Sequence, residues 1–241
     1  MQLCSAHRKL LLFYCLLKLN ALSFDSILDS WFVNADMSIY TFPNNHHEST
    51  LVLVQGDLTE FQGDAIVNAA NERMLGGGGV DGAIHRAAGR ELYEECLKVP
   101  EVEEGVRCPT GQARITKGYK LPAKYVIHTV GPIYESDAES APLLANAYKS
   151  SLQLANEHNL KTVAFPAIST GVFGYPKYKA AEVSLKAVAD AIGEVREVHF
   201  ILFGSDMLAA YQKAANSLLF TIINAESKCT KNGVCVTAQE F

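Results

Sequence analysis

NAANERMLGGGGVDGAIHRAAG, residues 68–89, is the stretch on which the fold turns. Four consecutive glycines, Gly76 to Gly79, stand between a strand-like run ending in asparagines and what reads as a helix start. Glycine lacks the Cβ that keeps a backbone away from a ligand, and successive N–H groups leading into a helix N-terminus form a nest suited to a phosphate or diphosphate. Gly77, Gly79 and Gly82 formally match the G-x-G-x-x-G dinucleotide fingerprint. The context does not fit: the fingerprint belongs directly in the first strand-to-helix turn, with an acidic residue at the end of a strand about 20 residues on. Here NAANERML intervenes, and the corresponding downstream region is KVPEVEEG. No G-x-x-x-x-G-K-[ST] occurs, so a P-loop is excluded on motif grounds.

Around the glycines stand three polar side chains. Asp81 and His85 are four apart on the expected helix and share a face, with Asp81 at its positive end. Singly, they read as a first-turn acid and a packed surface histidine. Together with Asn71 they bracket the glycine loop, as a site must to fix a sugar and a water beside a phosphate. A second glycine loop, STGVFG at 169–174, supplies Ser169, Thr170, Gly171 and Gly174 from another strand end, with Phe173 inside it. Two such loops suggest two walls around a diphosphate, and an aromatic on the second suits a ligand ring or sugar. Asp57, after LVLVQG, reads either as an Asx turn or as an acceptor for an exocyclic amine. His128, inside YVIHTV, reads as an interior histidine and is left out of the site.

The body alternates between the two periods. LVLVQG, DAIVNAA, ARITKG, YVIHTV, TVAFPA and EVHFILFG read as strands. GAIHRAAGRELYEECLKV reads as one helix or two split near Gly89, and APLLANAYKSSLQLANEHN, PKYKAAEVSLKAVADAIG and SDMLAAYQKAANSLLF as helices. This alternation predicts an α/β fold, a largely parallel sheet covered by helices on both faces, with ligands outside the carboxyl ends of the strands. The chain divides into an N-terminal extension, 1–45, a body, 46–221, and a tail, 222–241. The extension carries RKLLLFYCLLKLNALSF, a basic pair before an apolar run that Lys18 interrupts, and reads as a leader or an amphipathic segment without a stable membrane span.

Of the 241 residues, 49% are hydrophobic and 20% charged, ordinary for a chain that can bury a core. A net charge of -5 gives no general attraction to nucleic acid, so any anion must be held locally. The six cysteines have neither C-x-x-C nor zinc spacing and read as free thiols, with no metal or cofactor expected.

Three stretches in order, GDLTEFQGDAIVNAANERMLGGGGVDGAIHRAAG, CPTGQARITKGYKLPAKYVIHTVGP and FPAISTGVFGYP, together resemble the macro domain family, in its MacroD-type branch, over roughly residues 50 to 220. The resemblance implies a three-layer α/β/α sandwich with a mixed, mostly parallel sheet that binds ADP-ribose. It implies that Asp57 binds the adenine amine with Ile66 beside the base, and that Gly77, Gly78, Gly79 and Val80, with residues 169–173, grip the diphosphate. Asn71 would bind the distal ribose, Phe173 would cover it, and Asp81 with His85 would complete a catalytic corner. The implied activity is metal-independent hydrolysis of the ester joining mono-ADP-ribose to protein Asp or Glu, and deacetylation of O-acetyl-ADP-ribose. The implied partners are ADP-ribose and mono-ADP-ribosylated proteins, met by a monomer in cytosol or nucleus, with organellar targeting left open by the N-terminal run. Two other readings share the glycine loops: a non-catalytic ADP-ribose reader and an ADP-ribose phosphate phosphatase.

Overall fold

In the computed structural model, residues 37–43 and 48–232 are described. Seven strands form one sheet: β1 (Met37–Pro43), β2 (Glu48–Gln55), β3 (Ala65–Ala69), β4 (Ala113–Lys117), β5 (Tyr125–Thr129), β6 (Thr162–Phe165) and β7 (Glu197–Leu202). Their order is β1-β2-β7-β6-β3-β5-β4. The five central strands run parallel, and β1 and β4 close the two edges antiparallel. The helices are α1 (Gly79–Ala88), α2 (Arg90–Cys96), α3 (Asp137–Glu157), α4 (Lys177–Ala191) and α5 (Ser205–Asn232). Among the described residues no helix is long and apolar enough to cross a membrane.

The side-chain period of two along each strand makes the layers. Val67, Ile127, Phe165 and Phe200 point into one cluster with Leu144, Tyr148 and Leu152 of α3, Leu185 and Val188 of α4 and Tyr211 of α5. Their neighbours Ile66, Val126 and Ala164 point the other way, to Ile84 and Ala88 of α1 and Leu92 and Cys96 of α2. This is the expected three-layer sandwich with a mixed, mostly parallel sheet. The short strands β3 and β6 are almost wholly buried, as strands covered on both faces must be.

Two expected boundaries move. The body begins at Met37, not 46: MSIYTFP pairs with β2 from Met37–Val54 to Pro43–Glu48, and the compact unit starts there. At the other end α5 continues to Asn232, past the expected stop at 221. The reading of RKLLLFYCLLKLNALSF falls outside the described residues.

Because the central strands are parallel, their carboxyl ends share one edge of the sheet. Along that edge stand, in spatial order, Gly56-Asp57 after β2, Phe203-Gly204 after β7, the 166–174 loop after β6, the 70–78 loop after β3 and Val130-Gly131 after β5.

Candidate functional site

The β3–α1 loop is built around Asn71. Its Nδ2 donates to the Gly76 carbonyl at 3.0 Å, its Oδ1 accepts from the Arg73 N–H at 3.1 Å, and its carbonyl accepts from the Met74 N–H at 3.0 Å. The loop doubles back through Met74, at φ 61, and Gly76, at φ 84. It then enters α1 at Gly78, whose extended backbone caps the helix with no side-chain hydrogen bond. The first N–H groups of α1 therefore face out unclaimed by any capping side chain, at the positive end of the helix dipole.

The glycines divide by what a Cβ would meet. At Gly77 it would stand 3.0 Å from Asp81 Oδ2 and 3.2 Å from Asn71 Nδ2, so these two polar atoms converge on one point above the loop. At Gly82 it would stand 2.5 Å from the Gly77 carbonyl, so this glycine lets the loop close on the helix. Gly79 needs its positive φ of 58. Gly78 and Gly171 need nothing of the kind: neither has a positive φ, and a Cβ at either would meet no atom within 4 Å. Their missing side chains are open space at the crevice, which the fold itself does not require.

Asp81 is 3% exposed. Asn68 Nδ2 donates to its Oδ1 at 2.7 Å, and His85 Nε2 lies 3.5 Å from the same oxygen. Oδ2 is buried without a hydrogen-bond partner and is the oxygen that faces Asn71 across Gly77. Burial pushes the Asp81 carboxyl above the usual carboxylate range, against the opposing effects of the Asn68 hydrogen bond and the nearby His85.

Beneath Asp81 runs a buried chain whose hydrogens can be assigned. Burial, and then the proximity of His85, hold the His128 imidazole down at about 3, so it is neutral. Asn68 Nδ2 lies 3.1 Å from His128 Nδ1 and can spend its two hydrogens on that nitrogen and on Asp81. The His128 proton then sits on Nε2 and reaches Thr116 Oγ1 at 2.9 Å. The Thr116 hydroxyl in turn donates to the Val126 carbonyl at 3.4 Å. The period of β3 carries the signal for Asn68, which shares the face of Ile66, towards α1 and Asp81.

His85, Cys96 and His128 bring possible ligand atoms within 4.8 Å of one another. His128 is already engaged on both nitrogens, and burial pushes the Cys96 thiol up to about 12, leaving it protonated. Cys96 Sγ lies 3.8 Å from His128 Nε2, so these side chains pack against one another beneath Asp81.

The β6–α4 loop turns through Ser169, at φ 66 and buried. Thr170 Oγ1 donates to the Ala167 carbonyl at 2.8 Å and the Gly174 N–H to the Gly171 carbonyl at 3.0 Å, which stiffens the loop. Val172 is wholly exposed at its tip, and Phe173 is half-buried with its carbonyl accepting from the Tyr134 N–H at 2.8 Å. The Ser169 hydroxyl is buried without a partner.

Asp57 lies at the far end of the crevice, since β7 and β6 stand between its strand and β3. Its Oδ1 caps a single 3-10 turn, Leu58–Glu60, accepting from the Thr59 N–H at 2.9 Å and the Thr59 hydroxyl at 2.7 Å. Ile66 departs from expectation. It has no exposed surface and packs with Ile84 and Val126, because it is an inward position of a doubly covered strand; it shapes the wall from beneath and offers no face to a ring. The exposed ring at that end is Phe203, 94% exposed directly after β7 and beside the β2 end, where the Gly56 N–H donates to the Leu202 carbonyl. In VHFILFG the alternation buries Val198, Phe200 and Leu202 and leaves Phe203 as the unburied aromatic.

With this geometry in hand, the comparisons are direct. Residues 67–184 match the Macro domain family. A macro domain-containing protein of Vibrio parahaemolyticus is 51% identical over 166 residues, 69% of this chain and 97% of the relative, and one of Methanosarcina mazei is 46% identical over 171 residues, 69% and 88%. The Oceanobacillus iheyensis macrodomain, solved with ADP, superposes with a TM-score of 0.71 at 40% identity, covering 77% of this chain and 99% of its own. The Trypanosoma brucei macrodomain in complex with ADP-ribose gives 0.62 at 42% identity, covering 68% of each. A parallel-stranded sandwich with two glycine loops at one sheet edge, and relatives matched over nearly their whole length, establish that this chain belongs to the macro domain family.

Proposed function

We propose that this chain binds ADP-ribose along the sheet edge and hydrolyses the ester that links mono-ADP-ribose to protein Asp or Glu, and the acetyl ester of O-acetyl-ADP-ribose. The observation that carries the catalytic reading is the convergence of Asp81 Oδ2 and Asn71 Nδ2 above Gly77, next to the unclaimed N–H groups of α1. Two intervals support the placement. The Oceanobacillus iheyensis macrodomain was solved as single Asn to Ala, Gly to Val and Asp to Ala variants, the glycine variant with ADPR, at positions seven and then three residues apart. Asn71, Gly78 and Asp81 have the same intervals.

In this reading adenine stacks on Phe203 with its amine towards Asp57. The diphosphate lies across the α1 N-terminus and the 169–173 loop, and the distal ribose meets Asn71 and Phe173. Asp81 Oδ2 holds a water beside the ester and takes up its proton as the water oxygen bonds to the electrophilic carbon. The ester C–O bond breaks, Asp81 returns the proton to the departing ribose oxygen, and the products are ADP-ribose and a carboxylic acid (acetic acid for the acetyl ester) that ionises in water. Burial makes Asp81 a stronger base than an exposed carboxylate, and Asn68 fixes the direction of its other oxygen. His85, beside that oxygen, limits its swing.

The test is a gel assay on a protein carrying Asp/Glu-linked mono-ADP-ribose, together with ADP-ribose calorimetry. Release of the label with measurable ADP-ribose binding is expected; binding without release would make the chain a reader and overturn the hydrolase.

A further inference from the structure

A groove of about 480 Å³ runs outward from the back of the Gly77 loop, lined by Leu75, Gly76 and Gly77 on one side and by Gly82, His85, Arg86, Gly89, Arg90 and Tyr93 on the other. The second set comes from α1, the break at Gly89 and the first turn of α2, so the two short helices together line one side of the groove. Gly76 and Gly77 form both this groove's wall and the floor of the corner where Asn71 and Asp81 converge. His85 does the same from the helix: its ring lines the groove, and its Nε2 lies 3.5 Å from Asp81.

Arg86 decides what the groove suits. Its Nη1 lies 3.1 Å from where a Cβ on Gly82 would stand, and the Gly77 carbonyl lies 2.5 Å from the same point, which places the guanidinium beside the loop that carries the site. It has no ion-pair or hydrogen-bond partner among the described residues. In a chain of net charge -5, acidic groups are plentiful, so an unpartnered guanidinium at this lip stands out. Arg90, further out, pairs with Glu94 through Nε only, and both side chains of that pair are exposed, 87% and 53%; such a pair is weak and leaves the Nη groups available. Tyr93, 41% exposed, adds a phenolic hydroxyl without a partner among the described residues.

We propose that this groove seats the polypeptide that carries the modification, and that Arg86, with Arg90, receives carboxylates flanking the modified residue, giving a preference for acidic sequence. The inference rests on the ADP-ribose reading above, because it takes the distal ribose to lie at Gly77. A planar guanidinium matches a carboxylate in a two-pronged hydrogen bond, which a neutral side chain cannot replace.

The experiment uses the full chain and two fluorescent peptides, each bearing ADP-ribose through a non-hydrolysable amide to one residue. One is flanked by Asp and Glu, the other by Asn and Gln. Wild type is expected to bind the acidic peptide about tenfold tighter, the size of one charge-assisted hydrogen-bond pair. That advantage should collapse at ~1 M salt, where the screening length falls to about 3 Å. Arg86→Ala with Arg90→Ala should bind both peptides alike while keeping the wild-type affinity for free ADP-ribose. Equal binding of the two peptides by wild type, or a preference that survives in the double variant, overturns the inference while the ADP-ribose reading stands. Failure of wild type to bind free ADP-ribose overturns both.

Discussion

Replacing Asp81 by Asn separates catalysis from folding. The amide is isosteric, and its oxygen can still accept from Asn68 Nδ2, which now stands 2.7 Å from Asp81 Oδ1. The other atom becomes an NH2 group that faces the Asn71 amide across Gly77, donor towards donor, with no capacity to take a proton from water. Removing a positioned general base costs typically 10² to 10⁴ in rate, or about 3–5 kcal/mol of barrier. Stability should move the other way. The Asn68 bond passes from charge-assisted to neutral, a loss of about 1 kcal/mol. The net direction is set by the carboxyl itself, which binds its proton more tightly in the folded protein because desolvation outweighs both Asn68 and His85. A carboxyl shifted upward favours the fold below its unfolded pKa and gives up that advantage as pH rises through the folded pKa, so each unit of pH above the carboxylate range favours Asn at this site over Asp. Asp81→Asn should therefore melt no lower than wild type at pH 7, with the gap narrowing as pH falls into the carboxylate range. ADP-ribose affinity should stay within a few-fold, since the diphosphate contacts are untouched. Thermal melts from pH 4 to 8, calorimetry and the turnover assay together decide the matter. A variant that melts well below wild type at pH 7, or that turns over within tenfold of it, refutes the reasoning.

Gly78→Ala should leave the melting temperature unchanged, because its Cβ meets no atom, yet weaken ADP-ribose binding in calorimetry by filling the phosphate cradle; Gly171→Ala should do the same from the opposite wall. Phe203→Ala should weaken ADP-ribose by roughly tenfold or more, the worth of a stacked base at about 1–3 kcal/mol, with no change in stability since the ring is 94% exposed. Cys96 and Cys108, pushed up to about 12 and about 11 by burial, should stay unlabelled by a thiol reagent at neutral pH in the native protein and label fully in denaturant, read peptide by peptide in a mass spectrometer.

Much of this architecture was readable from period and punctuation. The central strands, the break between α1 and α2 at Gly89 and the end of α3 before Asn159, at φ 56, all carry local signals. The edge strand β1 does not: MSIYTFP stands before a polar turn, and only its antiparallel register with β2 makes it part of the sheet. The site divides in the same way. Asn71, Asp81, His85 and the glycines lie within fifteen residues and announce one another, whereas Asn68, Thr116 and His128 come from three strands and meet only when the sheet is assembled. His128 is interior, as its place in YVIHTV predicts, and with both nitrogens engaged it is also a fixed support for the residue above it. Ile66 is the opposite case: a strand position on the site's own side of the sheet can lie wholly buried beneath it, with no surface left for a ring.

The parallel sheet edge has a further consequence, for size. Adjacent strands are about 4.8 Å apart, so the three steps from β2, which ends at Asp57, to β3, which leads to Asn71, span roughly 14 Å. Both ends of that span are fixed by backbone pairing, and the crevice acts as a gauge. In the proposed reading adenine sits at the Asp57 end and the distal ribose at the Asn71 end, so a ligand must reach across that span to use both. Selection among nucleotides then follows from the distance between their two ends, before any single contact discriminates between them.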